Sequence, residues 1–420
     1  MLVDIAYGVE GRTVEVPDDA SVIAPRQVPG LPDELAAVTR ALESPVVGPP
    51  LSQLAAGARR VVVVFPDLTR PMPNRTVLPP LLGALERAGL PDAAITLLCA
   101  TGTHRQATAA EMAVLVGPEL VGRYAIVDHD AERDDHVRVG EVDGVPVLLQ
   151  RHYVEADLRI ITGFVEPHFF AGFSGGPKAV CPGLAATSTI LEAHHPRRIA
   201  DRRATFVTRS GNPVHDFVRA AVALAPPQLS IDVTINRARQ LTAVFAGPLT
   251  ETHNAACAFA QGSAVQRVDA PFDVVVSTNG GYPLDRNLYQ AVKGMAAAER
   301  IVAPGGIIIM AAACVDGVPD DGAFARVLSG ATTPADLVNA EGGAELDRWQ
   351  VQVLGRVLQR APVWMYSDGL SDTAVRSALL VPVADLSAAV ADALAASGRP
   401  GRVGLLPEGP LTVATVSSAA

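Results

Sequence analysis

His168–Gly183 reads HFFAGFSGGPKAVCPG, and its residue most able to do chemistry is Lys178, at the end of a glycine-rich turn. Three chemistries compete for a lysine placed there: a phosphate cradle, a nucleophile elbow around Ser174, or a covalent attachment point. A phosphate loop needs G-x-x-x-x-G-K-[ST], with backbone N–H groups around the phosphate and the last hydroxyl on Mg²⁺. From Gly172 the chain gives G-F-S-G-G-P-K-A. Pro177 therefore stands where a glycine is needed and removes an N–H, and Ala179 replaces the hydroxyl. No G-x-G-x-x-G fingerprint occurs anywhere, so a dinucleotide bound in the Rossmann manner has no support. GFSGG does fit G-x-S-x-G, but a hydrolase elbow needs a strand entering and a helix leaving directly. VEPHFFA and PKAVCPG occupy those places instead. The attachment reading makes Lys178 a nucleophilic amine in partly desolvated surroundings, which Phe169, Phe170, Ala179 and Val180 are able to supply. A solvated lysine closing a turn is the plain alternative.

Nine histidines offer acid–base or ligand chemistry. His104 and His168 follow strand ends, where an imidazole suits proton transfer near neutral pH. His136 and His152 lie in charged surroundings and read as surface residues, while His194 and His195 follow a short helix, TSTILEA. No second histidine sits at helical metal spacing, and Cys99, Cys181, Cys257 and Cys314 lie far apart with no C-x-x-C pair. A metal held by protein groups alone is not expected; one histidine is enough to complete a metal held by something else. After NGGYPLD, Tyr289, Gln290 and Lys293 fall at i, i+3 and i, i+4 near a helix N-terminus, which favours an anion. An ordinary amphipathic helix would show the same spacing.

Positioning these groups requires strands that end in polar turns. RVVVVF (60–65), AITLLCA (94–100), LRIITGF (158–164) and DVVVST (273–278) each run into such a turn, and IIIMAAA (307–313) and PVWMYS (362–367) are further strand candidates. Alanine-rich helical stretches such as RTVLPPLLGALERAG and DRNLYQAVKGMAAAER alternate with them, the pattern of a mostly parallel sheet whose ligands sit beyond the strands' carboxyl ends. The turns hold Asp67, Arg70, His104, His168, Lys178, Gln290 and Lys293. The chain has 420 residues, 49% hydrophobic and 19% charged, with net charge −10, as in a folded α/β enzyme. The acidic balance argues against nucleic acid as a partner. The N-terminal stretch alternates like a strand pair and lacks a signal pattern. The most apolar run, IVAPGGIIIMAAACV, is too short and glycine-broken for a bilayer, so a cytoplasmic protein without a membrane partner is expected. A helix giving way to VDAPFD suggests domains 1–268 and 269–420.

Taken in order, DLTRP (67–71), GTHR (102–105), GFVEPHFFAGFSGGPKAVCPG (163–183), GNPVHD (211–216) and GGYPLDRNLYQAVKG (280–294) resemble the nickel-dependent lactate racemase family over most of the chain. The resemblance implies an α/β fold of two domains with mostly parallel sheets and an active site in the interdomain cleft. It implies racemisation or epimerisation at C2 of a lactate-like 2-hydroxy acid, by hydride transfer to and from a nickel pincer nucleotide. That cofactor, pyridinium-3,5-bisthiocarboxylic acid mononucleotide nickel, would be tethered at Lys178, with Ser174, Gly175 and Gly176 as a cradle and Asp67 and Trp349 as further cofactor contacts. A histidine sixteen residues after the lysine would complete the nickel; that count lands on His194, with His195 beside it. His104 and His168 would exchange the hydroxyl proton from opposite sides, and Arg70, Tyr289, Gln290 and Lys293 would bind substrate. Cofactor-building proteins are implied partners. Pro177 and Cys181 depart from the family, whose members commonly carry arginine and an aliphatic residue there. A non-catalytic carboxylate- or cofactor-binding protein on the same fold is the alternative.

Overall fold

The computed structural model describes residues 1–320, 322–338, 343–397 and 401–417. Two units divide the chain. One comprises Gln27–Ala193 and Val207–Ser263; the other comprises Met1–Arg26, His194–Phe206 and Ala264–Ala420.

In the first unit, Val61–Pro66 is buried along its whole length, as a strand covered on both faces must be. Its alternation sends Val61, Val63 and Phe65 into one apolar cluster and Val62 and Val64 into another. The helix Asn74–Arg87 closes the first cluster with Val77, Leu78, Leu81, Leu82 and Leu85, the stripe that a 3.6-residue period requires. Each such leucine contributes about 1.5–3 kcal/mol of burial. Six strands form the sheet, in the order Leu241–Gly247, Leu229–Ile235, Leu158–Phe164, Val61–Pro66, Ile95–Ala100 and Ala125–Asp128. All neighbours are parallel except the antiparallel edge pair 229–235 with 241–247. Successive strands run outward from 61–66 toward 125–128, then resume at 158–164 on the other side. The crevice beyond the ends of 61–66 and 158–164 is therefore a topological switch point, where α/β sheets bind ligands.

The second unit repeats the arrangement with an all-parallel sheet, ordered Val381–Pro382, Val363–Tyr366, Val302–Ala311, Phe272–Thr278, Val403–Leu406 and Ser21–Val22. The N-terminal strand pair is present as the antiparallel hairpin Leu2–Ile5 with Arg12–Glu15. All six strand candidates read from the sequence occur, and the 285–300 stretch forms the helix Leu288–Glu299. Among the described residues no helix is long and apolar enough to cross a membrane.

Gly294 lets that helix lie against the strand end. A Cβ there would stand 2.1 Å from the Thr278 carbonyl oxygen. The Gly294 amide donates to Asn279 Oδ1 at 3.0 Å, and Ser277 Oγ donates to the Gly294 carbonyl at 2.9 Å. Gly294→Ala is expected to cost about 1–3 kcal/mol, read as a lower urea midpoint at unchanged slope. Gly122→Ala, with open space around it, is the control and should not lower the midpoint.

Candidate functional site

Three loops leave the carboxyl edge of the first sheet near its switch point. The first begins at Asp67, a buried carboxylate that no water shell can stabilise. Its Oδ1 accepts from the Thr69 hydroxyl at 2.7 Å and the Thr69 amide at 3.3 Å, and its Oδ2 meets His104 Nδ1 at 2.9 Å. Burial alone would raise the Asp67 pKa. The hydrogen bond and charge of His104, the charge of Arg70 and the Thr69 hydroxyl outweigh it and hold the carboxyl below its ordinary range. An ionised carboxylate only accepts, so His104 Nδ1 carries the proton and Nε2 presents its lone pair. The His104 side chain is 47% exposed, so this nitrogen is within reach of a ligand.

The second loop, 101–105, is fixed by Thr101 Oγ1 donating to Asp128 Oδ1 at 2.5 Å. The Gly102 amide, at φ +59°, donates to the Gly183 carbonyl at 3.0 Å and so ties this loop to the glycine-rich segment.

In that segment Pro167–His168 pairs back on Gly172–Phe173. The Ala171 amide donates to His168 Nδ1 at 3.3 Å, so the neutral ring carries its proton on Nε2. His104 and His168 thus hold opposite tautomers: one offers a lone pair at Nε2, the other an N–H. Phe169 stacks on His168 with centroids 4.8 Å apart, and Phe170 meets the ring edge-on at 4.6 Å. Phe170 also lies 5.7 Å from Lys178 Nζ, so one aromatic ring contacts both the imidazole and the amine.

The turn before Lys178 spends its own polar groups on itself. Ser174 Oγ donates to the Phe164 carbonyl at 2.8 Å and accepts from the Glu166 amide at 2.9 Å, and the residue is 2% exposed. Among the described residues its hydroxyl bonds only to backbone groups, which gives serine hydrolysis no geometric footing. The Ser174 carbonyl accepts from His253 Nε2 at 3.0 Å, and the Gly176 amide donates to Asp232 Oδ1 at 2.9 Å. Gly175 and Gly176 are both at positive φ, and a Cβ on either would point inward, at Val165 and Asp232 or at His253.

In the second unit, His194 is buried with its ring 4.7 Å from that of Trp349. Trp349 Nε1 donates to the Tyr289 hydroxyl at 3.1 Å. His195 differs from its neighbour: its Nδ1 accepts the Arg197 amide at 3.2 Å and caps the turn Pro196–Ile199. Lys293 Nζ donates to Gln290 Oε1 at 2.5 Å, and Asn287 caps their helix. The structure therefore groups Asp67, Arg70 and His104, groups His168 with Lys178, and groups His194 with Trp349 and Tyr289. Among the described residues no three His, Cys, Asp or Glu side chains converge on a metal position.

Sequence reasoning missed the layer beneath the turn, Asp232 and His253. A lone aspartate inside the apolar run LSIDVTI was the available signal. It also missed that His136, read as a surface residue, packs edge-on against buried His129 with centroids 5.3 Å apart. A further signal lay in plain counting: the chain has only two lysines, Lys178 and Lys293, against 32 arginines.

Burial is the main cause that lowers His129 and His253 to about 4 and His215 to about 3, from an ordinary 6.5. A base whose pKa falls on folding stabilises fully above its unfolded value, and that contribution is lost as acid protonates the unfolded chain preferentially. Stability should therefore drop between pH 6.5 and about 4, by on the order of 1–3 kcal/mol per histidine. Urea midpoints measured across that range should show the drop, with a shallower slope in His253→Gln.

Two family models match the chain: the lactate racemase N-terminal domain over residues 7–206 and the lactate racemase C-terminal domain over 267–414. It is 34% identical to a lactate racemase of Thermoanaerobacterium thermosaccharolyticum over 97% of both chains. With a lactate racemase of Lactiplantibacillus plantarum it shares 35% identity over 89% of both chains. The solved lactate racemase apoprotein from T. thermosaccharolyticum superposes over the full length of both chains with a TM-score of 0.93 at 32% identity. A Thermotoga maritima protein shares the fold at a TM-score of 0.68 and 17% identity, covering 91% of this chain and 98% of its own.

Proposed function

The chain belongs to the lactate racemase family, and we propose that it inverts the C2 centre of a lactate-like 2-hydroxy acid with a nickel pincer nucleotide tethered at Lys178. The observation that carries this reading is the pair of imidazoles, His104 held at Nδ1 by Asp67 and His168 at Nδ1 by the Ala171 amide, on loops that leave one sheet edge beside the lysine. Inversion in either direction needs one group to take the hydroxyl proton and another to return it, and the two imidazoles exchange those duties between the two hands of the substrate.

The residues present fit the tethered group. Lys178 is a half-buried primary amine against Phe170, at the end of a turn whose glycines let it pack closely on the side chains beneath it. His194, lying on Trp349, supplies a single imidazole; the other donors must arrive with the nucleotide, as a soft sulfur-containing set suits nickel. When bound, the group supplies a reversible acceptor for the hydride at C2.

This chain's own residues do the rest. Arg70 takes the substrate carboxylate in a charge-assisted, two-pronged contact. Asp67 holds the His104 ring in one orientation and keeps its proton on Nδ1, leaving Nε2 to receive the hydroxyl proton. His168 returns a proton from Nε2 in that same direction, and in the reverse direction the two duties change hands. Lys293, paired with Gln290, supplies a compact positive charge to an anionic ligand, and Tyr289 buttresses Trp349 through its hydroxyl. Phe169 and Phe170 exclude water from the proton-transfer side.

The test is inversion of D- or L-lactate and its 2-hydroxy relatives by chain co-expressed with the cofactor-building enzymes, alongside intact mass and nickel content. His104→Ala and His168→Ala should each lower kcat by roughly 10²–10⁴-fold while retaining the mass increase at Lys178. Lys178→Arg should lose both mass increase and inversion, because a guanidinium keeps the charge but is no nucleophile. A loaded protein that inverts no 2-hydroxy acid would move the non-catalytic binding reading to the front.

A further inference from the structure

The glycines around Lys178 have a common cause that lies underneath them. Asp232 is fully buried in the strand Leu229–Ile235, directly opposite Gly163 in the parallel ladder. A Cβ on Gly163 would lie 2.6 Å from Asp232 Oδ1, and a Cβ on Gly175 would lie 3.1 Å from the same oxygen. The Gly176 amide donates to that oxygen at 2.9 Å, while Ser230 Oγ approaches Oδ2 at 3.4 Å. One carboxylate oxygen thus occupies the space that two glycines leave open and holds the amide of a third. His253 stands beside it: a Cβ on Gly176 would strike its ring at 2.4 Å, and its Nε2 holds the Ser174 carbonyl.

Burying a carboxyl with one amide and one distant hydroxyl costs free energy that an apolar residue would not. Such a group persists where its acceptor oxygen sets a backbone position that packing alone leaves loose. Two residues after the anchored amide comes Lys178, whose amine must meet a ligand in one orientation.

We infer that Asp232 is a positioning residue for Lys178, holding the Gly175–Gly176 turn so that the amine is presented for attachment and kept from free solvent. The inference deepens the attachment reading and rests on it for the consequence, though not for the geometry. It predicts that the acceptor oxygen matters and the charge does not, so Asp232→Asn should behave like the parent and Asp232→Leu should not.

The sequence makes the measurement clean, because Lys293 is the only other lysine and serves as internal reference. Full-length chain made without the cofactor-building enzymes is treated briefly with acetic anhydride, and the acetylation of the two lysine peptides is compared by mass spectrometry. Asp232→Asn should leave the Lys178-to-Lys293 ratio within about twofold, and Asp232→Leu should raise it roughly tenfold, the size of one lost hydrogen bond. Co-expressed with those enzymes, the Asn variant should gain mass at Lys178 and the Leu variant should not. In the parent chain, amide exchange at Gly176 should be slow, a readout that requires no variant to fold. A folded Leu variant with an unchanged ratio, or a Gly176 amide exchanging as fast as an open turn, overturns the inference. Should the parent itself gain no mass at Lys178, the attachment reading fails, while the acetylation ratio and the exchange rate still decide the role of Asp232.

Discussion

A backbone turn can be tight, or it can be well placed; being both requires something to push against. At Ser174–Gly176 the chain reverses at positive φ twice, and its N–H and C=O groups face inward onto Asp232 and His253. Those two side chains are costly to bury, and burial shifts each toward neutrality, Asp232 up to about 7 and His253 down to about 4. Neutral or nearly so, they hydrogen-bond the turn without leaving an uncompensated charge in the core. The order of causes runs from there outward. The buried pair demands glycines, the glycines permit the turn, and the turn fixes Lys178 beside Phe170 and, through that ring, beside His168.

The second organising element is the switch point of the parallel sheet. Because 61–66 is the first strand laid down and 158–164 returns to its other side, loops distant in sequence leave from adjacent strand ends. That is how Asp67 reaches His104 across 37 positions, and how Gly102 reaches Gly183. The second unit uses the same device: Thr278 Oγ1 donates to the Pro407 carbonyl at 3.0 Å across its own switch point, just ahead of the helix that carries Gln290 and Lys293. Nothing in a single loop's sequence specifies such partners; the ladder does.

This sets what could be read from residue order. The strands buried almost throughout, 61–66, 95–100, 158–164 and 272–278, announce themselves as apolar, β-branched runs, and their polar turns follow directly. The segments 125–128, 241–247 and 136–150 are harder to read. The first two are sheet edges, and the last is a hairpin whose half-exposed residues carry little periodicity. The two-residue strand Ser21–Val22 exists only because Val403–Leu406 offers it an edge. Site chemistry shows the same divide. The identities of His104, His168 and Lys178 are visible in the sequence, but their tautomers come from Asp67 and from the Ala171 amide, which tertiary folding delivers. The two adjacent histidines also differ only in the fold: His195 spends its Nδ1 on the Arg197 amide while His194 lies on Trp349.

Lysine usage joins the two levels. Surface ion pairs in this chain are built by arginine, as in Arg105 with Glu111 and Arg123 with Glu86 and Asp92. A guanidinium serves well there, being permanently charged, planar and able to make two contacts at once. What it cannot do is shed its proton and attack, or fit a small, strongly hydrated point charge into a narrow space. Where charge alone was wanted, arginine was enough at 32 positions. The two that kept an amine are the residue after the glycine turn of one switch-point loop and a residue on the helix following the other. Under the function proposed above, Lys178 needs a nucleophilic amine and Lys293 a compact charge, neither of which a guanidinium supplies.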